Sequence, residues 1–304
     1  KDMKKQKENT LGSKCFRYCD PSISFSITVE PIKPFICSTI IQIVSLKLFT
    51  LVAMCFTVAI MKDGVLMTAE QYYNSMPAVI RKKKPNPLQT EIPNYYLVSG
   101  FSHPRLPVIT DDEMTLKEWG LIPEWTSDRG KADELQNMTL NAMGETIFEK
   151  PSFRHNILSH RCLLPVSGFY EWREFKNTKY PYFIHPDSKP GFLLGAVYDS
   201  WTDPLTNETA DTFSIVTTEA NPLLEIIHNV KKRMPLILDY EAADRWLNPA
   251  TSPEELRTLI RPFDETKMKA YTIGKAAGNP KTDRNIPEIL NRVNYPELDP
   301  PTLF

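Results

Sequence analysis

Cys55 follows Met54 at the point where the chain first reads like a folded domain. If translation starts at Met54 and the methionine is removed, Cys55 carries a free α-amine beside its thiol. This 1,2-aminothiol can condense with an aldehyde and close a five-membered ring, which no internal cysteine can do. The state of the chain before Cys55 therefore decides most of the chemistry open to it.

Three other residues have side chains suited to acid–base or positioning roles. Glu171 lies among aromatic residues in the segment 168–172. Burial there would raise its pKa and make it a proton donor and acceptor; the alternative is an edge-strand carboxylate that faces solvent. His228 precedes the basic segment 231–235 and is either a catalytic base or a structural histidine. Asn141 is either an orienting group or a turn residue.

Further residues suit contacts to unpaired nucleic acid. Trp119 and Trp125 flank a proline. An exposed tryptophan can stack on an unpaired base with ~1–3 kcal/mol, although tryptophans also fill protein cores. Three arginines are candidate phosphate partners, with a plain surface charge as the alternative for each: Arg154, Arg161 and Arg233.

Composition restricts the classes of partner and cofactor. The 304-residue chain is 41% hydrophobic with 26 prolines and 11 glycines, which favours a strand-rich and loop-rich body over a helical bundle. Residues 1–53 carry a net charge of +4 and the remainder −5, so any nucleic-acid contact has to come from a local basic patch. No cysteine pair or histidine stands at metal-ligand spacing. The sequence predicts no metal, no cofactor and a reduced, cytoplasmic monomer.

Residues 1–53 form a leader that differs from the rest of the chain. An apolar stretch over 35–61 is interrupted by Gln42 and Lys47. It has the length of a membrane anchor, but a lysine at the bilayer centre costs ~2.5–3.5 kcal/mol. Three interpretations stay open: sequence upstream of the true start codon, a signal or anchor, and a genuine folded extension. The first is preferred, so we predict that residues 1–53 are mis-called upstream sequence or a removable extension. We also predict one domain over 54–304 and no membrane association.

From Cys55 onward the local pattern predicts an α+β domain. Capping signals and apolar patterns predict helices over 69–76, 239–247 and 253–260. The strands do not alternate regularly with helices, so the fold class is a single compact domain dominated by antiparallel, barrel-like β-sheet with short helices. Short apolar or β-branched runs predict the strands, at 55–60, 106–110, 163–166, 169–172, 182–184, 192–197, 213–217 and 236–238.

Taken in order, the motifs resemble one family. A cysteine after an initiator-like methionine is followed by Trp-Gly-x-x-Pro-x-Trp at 119–125, Asn-Ala-x-x-Glu-Thr at 141–146, Gly-Phe-Tyr-Glu-Trp at 168–172 and Ile-His…Arg-Met-Pro at 227–235. This ordered set resembles the SRAP (SOS response-associated peptidase) family, whose members sense and shield abasic sites in single-stranded DNA. The resemblance spans about residues 54–279 and implies a compact, β-rich domain with a positive groove.

The resemblance also implies a role for each matching residue. Trp119 matches a tryptophan beside the DNA, and Arg154 and Arg233 fall near basic positions that contact the DNA backbone. Cys55 matches the family's catalytic cysteine, and Asn141 matches the asparagine that orients it. Glu171 matches the catalytic glutamate, and His228 matches the catalytic histidine.

The sequence departs from the family pattern at several positions. Members commonly read Met-Cys-Gly-Arg, whereas the residues after the cysteine are Phe56 and Thr57 here, and Met143 replaces a common arginine. The segment 228–235 is longer than the compact family form. Weaker and more salt-sensitive DNA binding is therefore expected. The leader over 1–53 leaves the cysteine without an α-amine unless it is removed.

The predicted function is covalent capture of abasic sites in single-stranded DNA. The amine and thiol of Cys55 would form a thiazolidine with the sugar aldehyde, and self-processing could expose that amine. Two alternatives stay open. Cys55, His228 and Asn141 could act as nucleophile, base and orienter of a cysteine peptidase. The body could also be a non-enzymatic binding module tethered to a membrane through the stretch 35–61.

Overall fold

Two β-sheets with short flanking helices build the body of the protein. The computed structural model describes residues 57–60, 95–188 and 191–298. The described α-helices are α1 Arg129–Met138, α2 Asn156–Ser159, α3 Pro222–Ile227, α4 Tyr240–Leu247 and α5 Pro253–Leu259. Short 3-10 helices lie at Gly100–Ser102, Glu265–Lys267, Lys275–Gly278 and Pro287–Leu290. The described strands are β1 Thr57–Ile60, β2 Tyr95–Ser99, β3 Arg105–Ile109, β4 Met114–Trp119, β5 Asn141–Met143, β6 Arg161–Val166, β7 Gly168–Phe175, β8 Thr178–Pro186, β9 Phe192–Thr202, β10 Thr209–Glu219, β11 Arg233–Pro235, β12 Ile237–Leu238 and β13 Met268–Thr272.

The first sheet carries Glu171 and is antiparallel, with the strand order β13–β8–β7–β1–β2. Strand β1 lies between β7 and β2, with Val58 opposite Phe169 and Thr57 opposite Ser99. Because β1 and β7 run in opposite directions, the start of β1 points from Gly168 toward Glu171, the fourth residue of β7. The first residue of β1 therefore lies close in the sheet to the candidate catalytic carboxylate.

The second sheet closes on itself. Strands β10, β4, β3, β6 and β9 are hydrogen-bonded in this order, and β9 also pairs with β10, which completes a ring. Strand β10 pairs in parallel with β4 and with β5, so the ring is mainly but not wholly antiparallel. Closing a sheet in this way removes the unpaired edges along which strands of other molecules could add.

The main core lies between the two sheets. It combines Val58 and Phe169 of the first sheet with Leu164 and Phe213 of the second, each at most 1% exposed. On another face of the ring, Trp246 of α4 packs in a separate buried cluster, and its indole N–H donates to the carbonyl oxygen of Cys162 at 3.1 Å. The hydrophobic effect thus holds the ring on two sides.

These elements confirm the predicted fold class, an α+β domain dominated by antiparallel, barrel-like sheet with short helices. The predicted strand at 55–60 is β1 as far as it is described. The other predicted strands correspond, with different bounds, to β3, β6, β7, β8, β9, β10 and β12.

The helices predicted at 239–247 and 253–260 are α4 and α5. Asp239 and Ser252 cap them through the backbone N–H groups of Ala242 and Glu255, which is the interaction that the capping pattern indicates. The predicted helix at 69–76 and the leader lie outside the described residues. No helix in the described ranges has both the length and the apolar character needed to cross a bilayer.

Gly168, the first residue of β7, has no room for a side chain. An added β-carbon would lie 2.4 Å from the carbonyl oxygen of Ile184 and 2.6 Å from the ring of Phe183. We expect Gly168→Ala to lower the free energy of unfolding by ~1–3 kcal/mol, because the β8 backbone must move. The control Gly274→Ala meets no atom within 4 Å and should change it by less than ~0.5 kcal/mol. Urea denaturation measures both, and equal stabilities would show that β7 and β8 adapt freely.

Candidate active site

A buried carboxylate and a buried imidazole lie side by side between β7 and the end of α3. Glu171 is 5% exposed and His228 is 7% exposed. Oε1 of Glu171 lies 3.6 Å from Nδ1 of His228. This separation is longer than a hydrogen bond. The two side chains nevertheless lie close enough to interact electrostatically in one buried site.

The position of His228 follows from a short, well-capped helix. Asn221 accepts a hydrogen bond from the N–H of Leu224 at 2.9 Å, and Pro222 occupies the first helical position. The helix ends at His228, whose backbone N–H donates to the carbonyl oxygen of Leu224 at 2.7 Å. Both ends of α3 are thus fixed by local hydrogen bonds, and the imidazole is placed beside β7.

The tautomer of His228 follows from its second partner. Nδ1 lies 2.9 Å from the carbonyl oxygen of Arg233. Because a carbonyl oxygen can only accept, this hydrogen bond requires the proton on Nδ1. The neutral ring then has Nε2 as its proton-accepting nitrogen. This is the arrangement of an oriented general base, in which one ring nitrogen is anchored and the other is available for chemistry.

Arg233 is itself buried, and its two terminal nitrogens are engaged, whereas its Nε has no hydrogen-bond partner among the described residues. Its Nη1 and Nη2 donate to the two carboxylate oxygens of Glu145 at 2.5 and 2.8 Å, and Nη2 also donates to the hydroxyl of Thr217 at 3.1 Å. Burial raises the pKa of Glu145, but hydrogen bonds and charge from Arg233 together with a backbone hydrogen bond outweigh that effect, so its pKa lies below the ordinary value. The carboxylate is therefore ionised at neutral pH.

Strand β10 connects this ion pair to Asn141. Asn141 opens β5 and lies opposite Ile215 of β10, and Thr217 lies opposite Met143. A continuous series of contacts therefore runs from Glu171 through His228, Arg233 and Thr217 to the strand that carries Asn141. Three of the four residues predicted as catalytic are placed by this network, since Asn141, Glu171 and His228 belong to elements that it joins.

The fourth residue, Cys55, lies outside the described residues. The described cysteine, Cys162, has no exposed surface, and its environment on β6 raises the pKa of its thiol to about 12, chiefly through burial, with Lys117 opposing. A thiol of this kind is an inert core residue rather than a nucleophile. Within residues 57–60, 95–188 and 191–298, no group of three or more His, Cys, Asp or Glu side chains could hold a metal ion.

The structure contradicts the predicted DNA contact of Trp119. Its indole is 0% exposed, stacks on Phe213 with a ring separation of 6.2 Å, and donates to the carbonyl oxygen of Leu140 at 2.8 Å. A base cannot reach either face of this ring. Instead, Trp119 fixes the residue directly before Asn141, which is a positioning role in the core. Trp125 of the same motif is 52% exposed.

Arg161 is also misassigned as a phosphate partner. It is 4% exposed, and burial lowers the pKa of its guanidinium, while Asp111 and Tyr198 act in the opposite direction. Its three nitrogens donate to the carbonyl oxygens of Ile157, Trp246 and Asn248 at 2.6–2.9 Å. Those bonds fasten α4 to the ring, and burial keeps the guanidinium away from a ligand at the surface.

The other two arginines differ from each other in exposure. Arg233 is 7% exposed and held by Glu145, so its first role is internal. Arg154 is exposed, with Nε 3.4 Å from Nε2 of His155. Of the three predicted phosphate partners, Arg154 is therefore the one on the surface.

Two residues of the network, Glu145 and Thr217, were absent from the predicted site. Glu145 stands four residues after Asn141 in the Asn-Ala-x-x-Glu-Thr motif. A chemical rule connects it to Arg233, because an arginine that is buried needs a carboxylate partner. The pairing itself spans 88 residues of sequence, and no local pattern connects the two.

Comparison with known proteins gives a consistent picture. The family model described as SOS response associated peptidase (SRAP) matches residues 55–280. The abasic site processing protein YoqW of Bacillus subtilis is 39% identical over 174 residues, which covers 57% of this chain and 73% of the relative. The abasic site processing protein HMCES of Gallus gallus is 32% identical over 167 residues, 48% of each chain.

Solved structures show the same likeness. A protein from Bacteroides thetaiotaomicron has a TM-score of 0.70 and 39% sequence identity, over 79% of this chain and 100% of that one. A protein from Bordetella bronchiseptica has a TM-score of 0.58 at 20% identity, over 72% and 100%, which is a likeness of fold alone.

The ion pair between Arg233 and Glu145 predicts a pH-dependent stability. Glu145→Gln should lower the free energy of unfolding by ~1–3 kcal/mol at neutral pH, because a buried guanidinium loses its counter-charge. A carboxyl whose pKa is lowered by folding stabilises the native state above its ordinary pKa and loses that effect as the pH falls through the lowered value. The difference between Glu145→Gln and the wild type should therefore shrink in acid, as measured by urea denaturation from pH 7 to 3. The control Glu149→Gln alters an exposed carboxylate, and an equal loss there would contradict the assignment.

Proposed function

The chain belongs to the SOS response associated peptidase (SRAP) family, and from that premise we propose that it processes abasic sites in DNA by covalent capture through Cys55. The relatives named abasic site processing proteins support this substrate class. The single observation that carries the proposal is the buried pair of Glu171 and His228, 3.6 Å apart, with Glu171 on the strand that pairs with β1.

The first step uses the α-amine of Cys55. A ring-opened abasic deoxyribose presents an aldehyde, and the neutral amine attacks its carbon to give a carbinolamine. Loss of water then gives an imine. An α-amine has an ordinary pKa of about 7.7–8.0, so the neutral form is accessible near neutral pH.

The second step uses the thiol of the same residue. The thiolate adds to the imine carbon, the nitrogen takes up the proton, and a thiazolidine results, with one water released in the whole sequence. Because amine and thiol belong to one residue, ring closure has the high effective molarity of an intramolecular reaction.

The described residues supply the proton transfers. Glu171 protonates the departing hydroxyl of the carbinolamine and accepts the proton of the attacking group. Nε2 of His228 accepts a proton when the sugar ring opens, and the imidazolium that forms is stabilised by Glu171. Asn141 orients Cys55. Bonds to Arg233 orient His228, strand pairing with β10 holds the strand of Asn141, and Glu171 lies 3.6 Å from His228.

Covalent connectivity limits where Cys55 can lie. Successive Cα atoms are about 3.8 Å apart, so Cys55, two residues before Thr57, is within about 7.6 Å of the Thr57 Cα. Thr57 is the first residue of β1, one position before Val58, which pairs with Phe169 of β7. A reaction at this place also needs the chain before Cys55 to be absent, either through initiation at Met54 or through cleavage.

The proposed partner is single-stranded DNA with an abasic site, bound by one copy of the chain in the cytoplasm. Arg154 is proposed as a backbone contact, because it is the exposed member of the predicted arginines. Such a contact would contribute to affinity without reading sequence, and would weaken as salt rises.

Substitution of Cys55 tests the nucleophile. Cys55→Ala and Cys55→Ser should both abolish a borohydride-independent adduct with an abasic single-stranded oligonucleotide, since neither can close the sulfur-containing ring. A denaturing gel measures the adduct, and mass spectrometry of the purified native protein should show a mature chain that begins at Cys55. Full crosslinking by Cys55→Ala would remove the proposed nucleophile. Cleavage of casein by the wild type without any DNA adduct would favour a general cysteine peptidase instead.

Substitution of Glu171 tests the proton shuttle. Glu171→Gln should slow adduct formation by ~10²–10⁴-fold, the range for loss of a general acid–base group. Glu174→Gln is the matched control, because Glu174 lies on the same strand and uses its backbone, not its carboxylate, to contact Asn229. Single-turnover kinetics give both rates. An unchanged rate for Glu171→Gln would reassign that residue to structure.

A further inference from the structure

The segment 281–298 lies beyond the residues that match the family and bonds to both edge strands of the first sheet. At one edge, Oδ1 of Asn285 accepts the N–H of Tyr96 in β2 at 2.8 Å. At the other edge, Val293 donates its N–H to the carbonyl oxygen of Thr272 in β13 at 2.9 Å, and the Thr272 hydroxyl donates to the Val293 carbonyl oxygen at 2.6 Å. We call this segment the C-terminal clasp, because it joins the two ends of the strand order.

Between these ends the clasp packs on the sheet. Ile289, in the 3-10 helix of the clasp, is 5% exposed. It belongs to a buried cluster that contains Ala59 of β1, Leu97 of β2 and Tyr170 of β7. The side chain of Ile289 therefore packs in one cluster with residues of β1 and of both its neighbours, β2 and β7.

A second contact runs across β1. The hydroxyl of Tyr170 donates a hydrogen bond to the carbonyl oxygen of Tyr96. Strand β1 lies between β7 and β2, so this tyrosine side chain reaches across β1, and it shares a buried cluster with Ala59, which is fully buried. Burial, assisted by Tyr271, raises the pKa of Tyr170, so its hydroxyl stays protonated and can donate. The peptide of Tyr96 is thus held on one side by the clasp and on the other by the residue that precedes Glu171.

The far end of the clasp is firmly anchored. The hydroxyl of Tyr295 donates to the carbonyl oxygen of Ile273 at 2.8 Å, and its ring packs edge-on to Tyr180 at 5.0 Å. Tyr180 in turn donates to Glu297 at 3.0 Å, and Nζ of Lys275 lies 4.6 Å from the centre of the Tyr180 ring. The clasp therefore has fixed points at both of its ends.

We propose that the C-terminal clasp holds β1 in register between β2 and β7, and thereby fixes Thr57, the residue two positions after Cys55 in the chain. Strand β1 has four residues and pairs with β7 at only two positions in the described chain. Its own hydrogen bonds are few, so contacts from outside the sheet decide how firmly it is held. Asn285 and Ile289 are positioning residues that act through β1 and β2. The effect on catalysis rests on the proposed function, whereas the effect on β1 does not.

Hydrogen exchange tests the structural part on the full native chain. Ile289→Ala and Asn285→Ala should speed amide exchange across Thr57–Ile60 by about tenfold or more, because local opening of β1 becomes easier. Two control variants should leave β1 exchange unchanged. Leu259→Ala removes a side chain that is 4% exposed, against 5% for Ile289, in a different cluster. Asn294→Ala removes an exposed amide of the clasp itself.

Adduct kinetics test the positioning role, at a temperature where every variant is folded. Ile289→Ala should lower the maximal rate with an abasic single-stranded oligonucleotide by about tenfold, with the half-saturating DNA concentration unchanged, since displacement of reacting groups by ~1 Å can cost up to ~10²-fold. Asn285→Ala should show a smaller loss of the same kind. Asn285→Asp should restore the rate, because its carboxylate oxygen accepts the same N–H of Tyr96.

The outcomes separate the two hypotheses. Unchanged β1 exchange in both Ile289→Ala and Asn285→Ala would overturn the clasp. Faster exchange with an unchanged maximal rate would overturn the positioning role, as would a rate loss in Leu259→Ala equal to that in Ile289→Ala. If the wild type forms no adduct at all, the proposed function fails, while the exchange data still decide whether the clasp holds β1.

Discussion

The buried guanidinium of Arg233 is the interaction on which the rest of the candidate site depends. A charge removed from water is costly unless it is both paired and hydrogen-bonded. The two terminal nitrogens of Arg233 meet this requirement with both oxygens of Glu145 and the hydroxyl of Thr217, and only its Nε has no partner in the described part of the chain. Its carbonyl oxygen also accepts the hydrogen bond that orients His228. Three partners, which lie 88, 16 and 5 residues from Arg233 in sequence, are therefore fixed to one residue. Loss of the contact with Glu145 would leave the buried guanidinium without its counter-charge.

The two sheets contribute differently to the site. The closed ring is held by its own pairing and by packing on two sides, and it provides the fixed positions of Asn141 and Arg233. The first sheet provides Glu171 and the short strand β1, and its two edge strands depend on contacts from outside the sheet. The closed ring holds Asn141 and Arg233 in fixed positions, whereas the first sheet holds the short strand β1 less firmly. This combination suits a site in which the residue before β1 must approach side chains that stay in place.

Much of the fold could be predicted from local patterns, because the signals were local. Strand β6 is a buried run, and helix α5 starts at the Ser252 cap. Helix α1 was missed because only Ala132 and Gln136 are buried in it, so it has no apolar stripe. In the site, residue types identified Glu171 and His228 as candidates, but burial decides what a residue type does. Trp119 and Arg161 have the chemistry of a nucleic-acid contact, yet the partners that bury them, such as Leu140 and Trp246, come from distant parts of the chain.

The closed ring has a consequence for the chemistry of sulfur in this chain. Cys162 sits inside β6, packed in the core between the sheets, and its high pKa leaves almost no thiolate at neutral pH. Electrophiles in the cell, including sugar aldehydes, react with thiolates, so the folded ring withholds this sulfur from them. A maleimide can label Cys162 only when the ring opens. The rate of labelling at Cys162 would therefore report the lifetime of the native state.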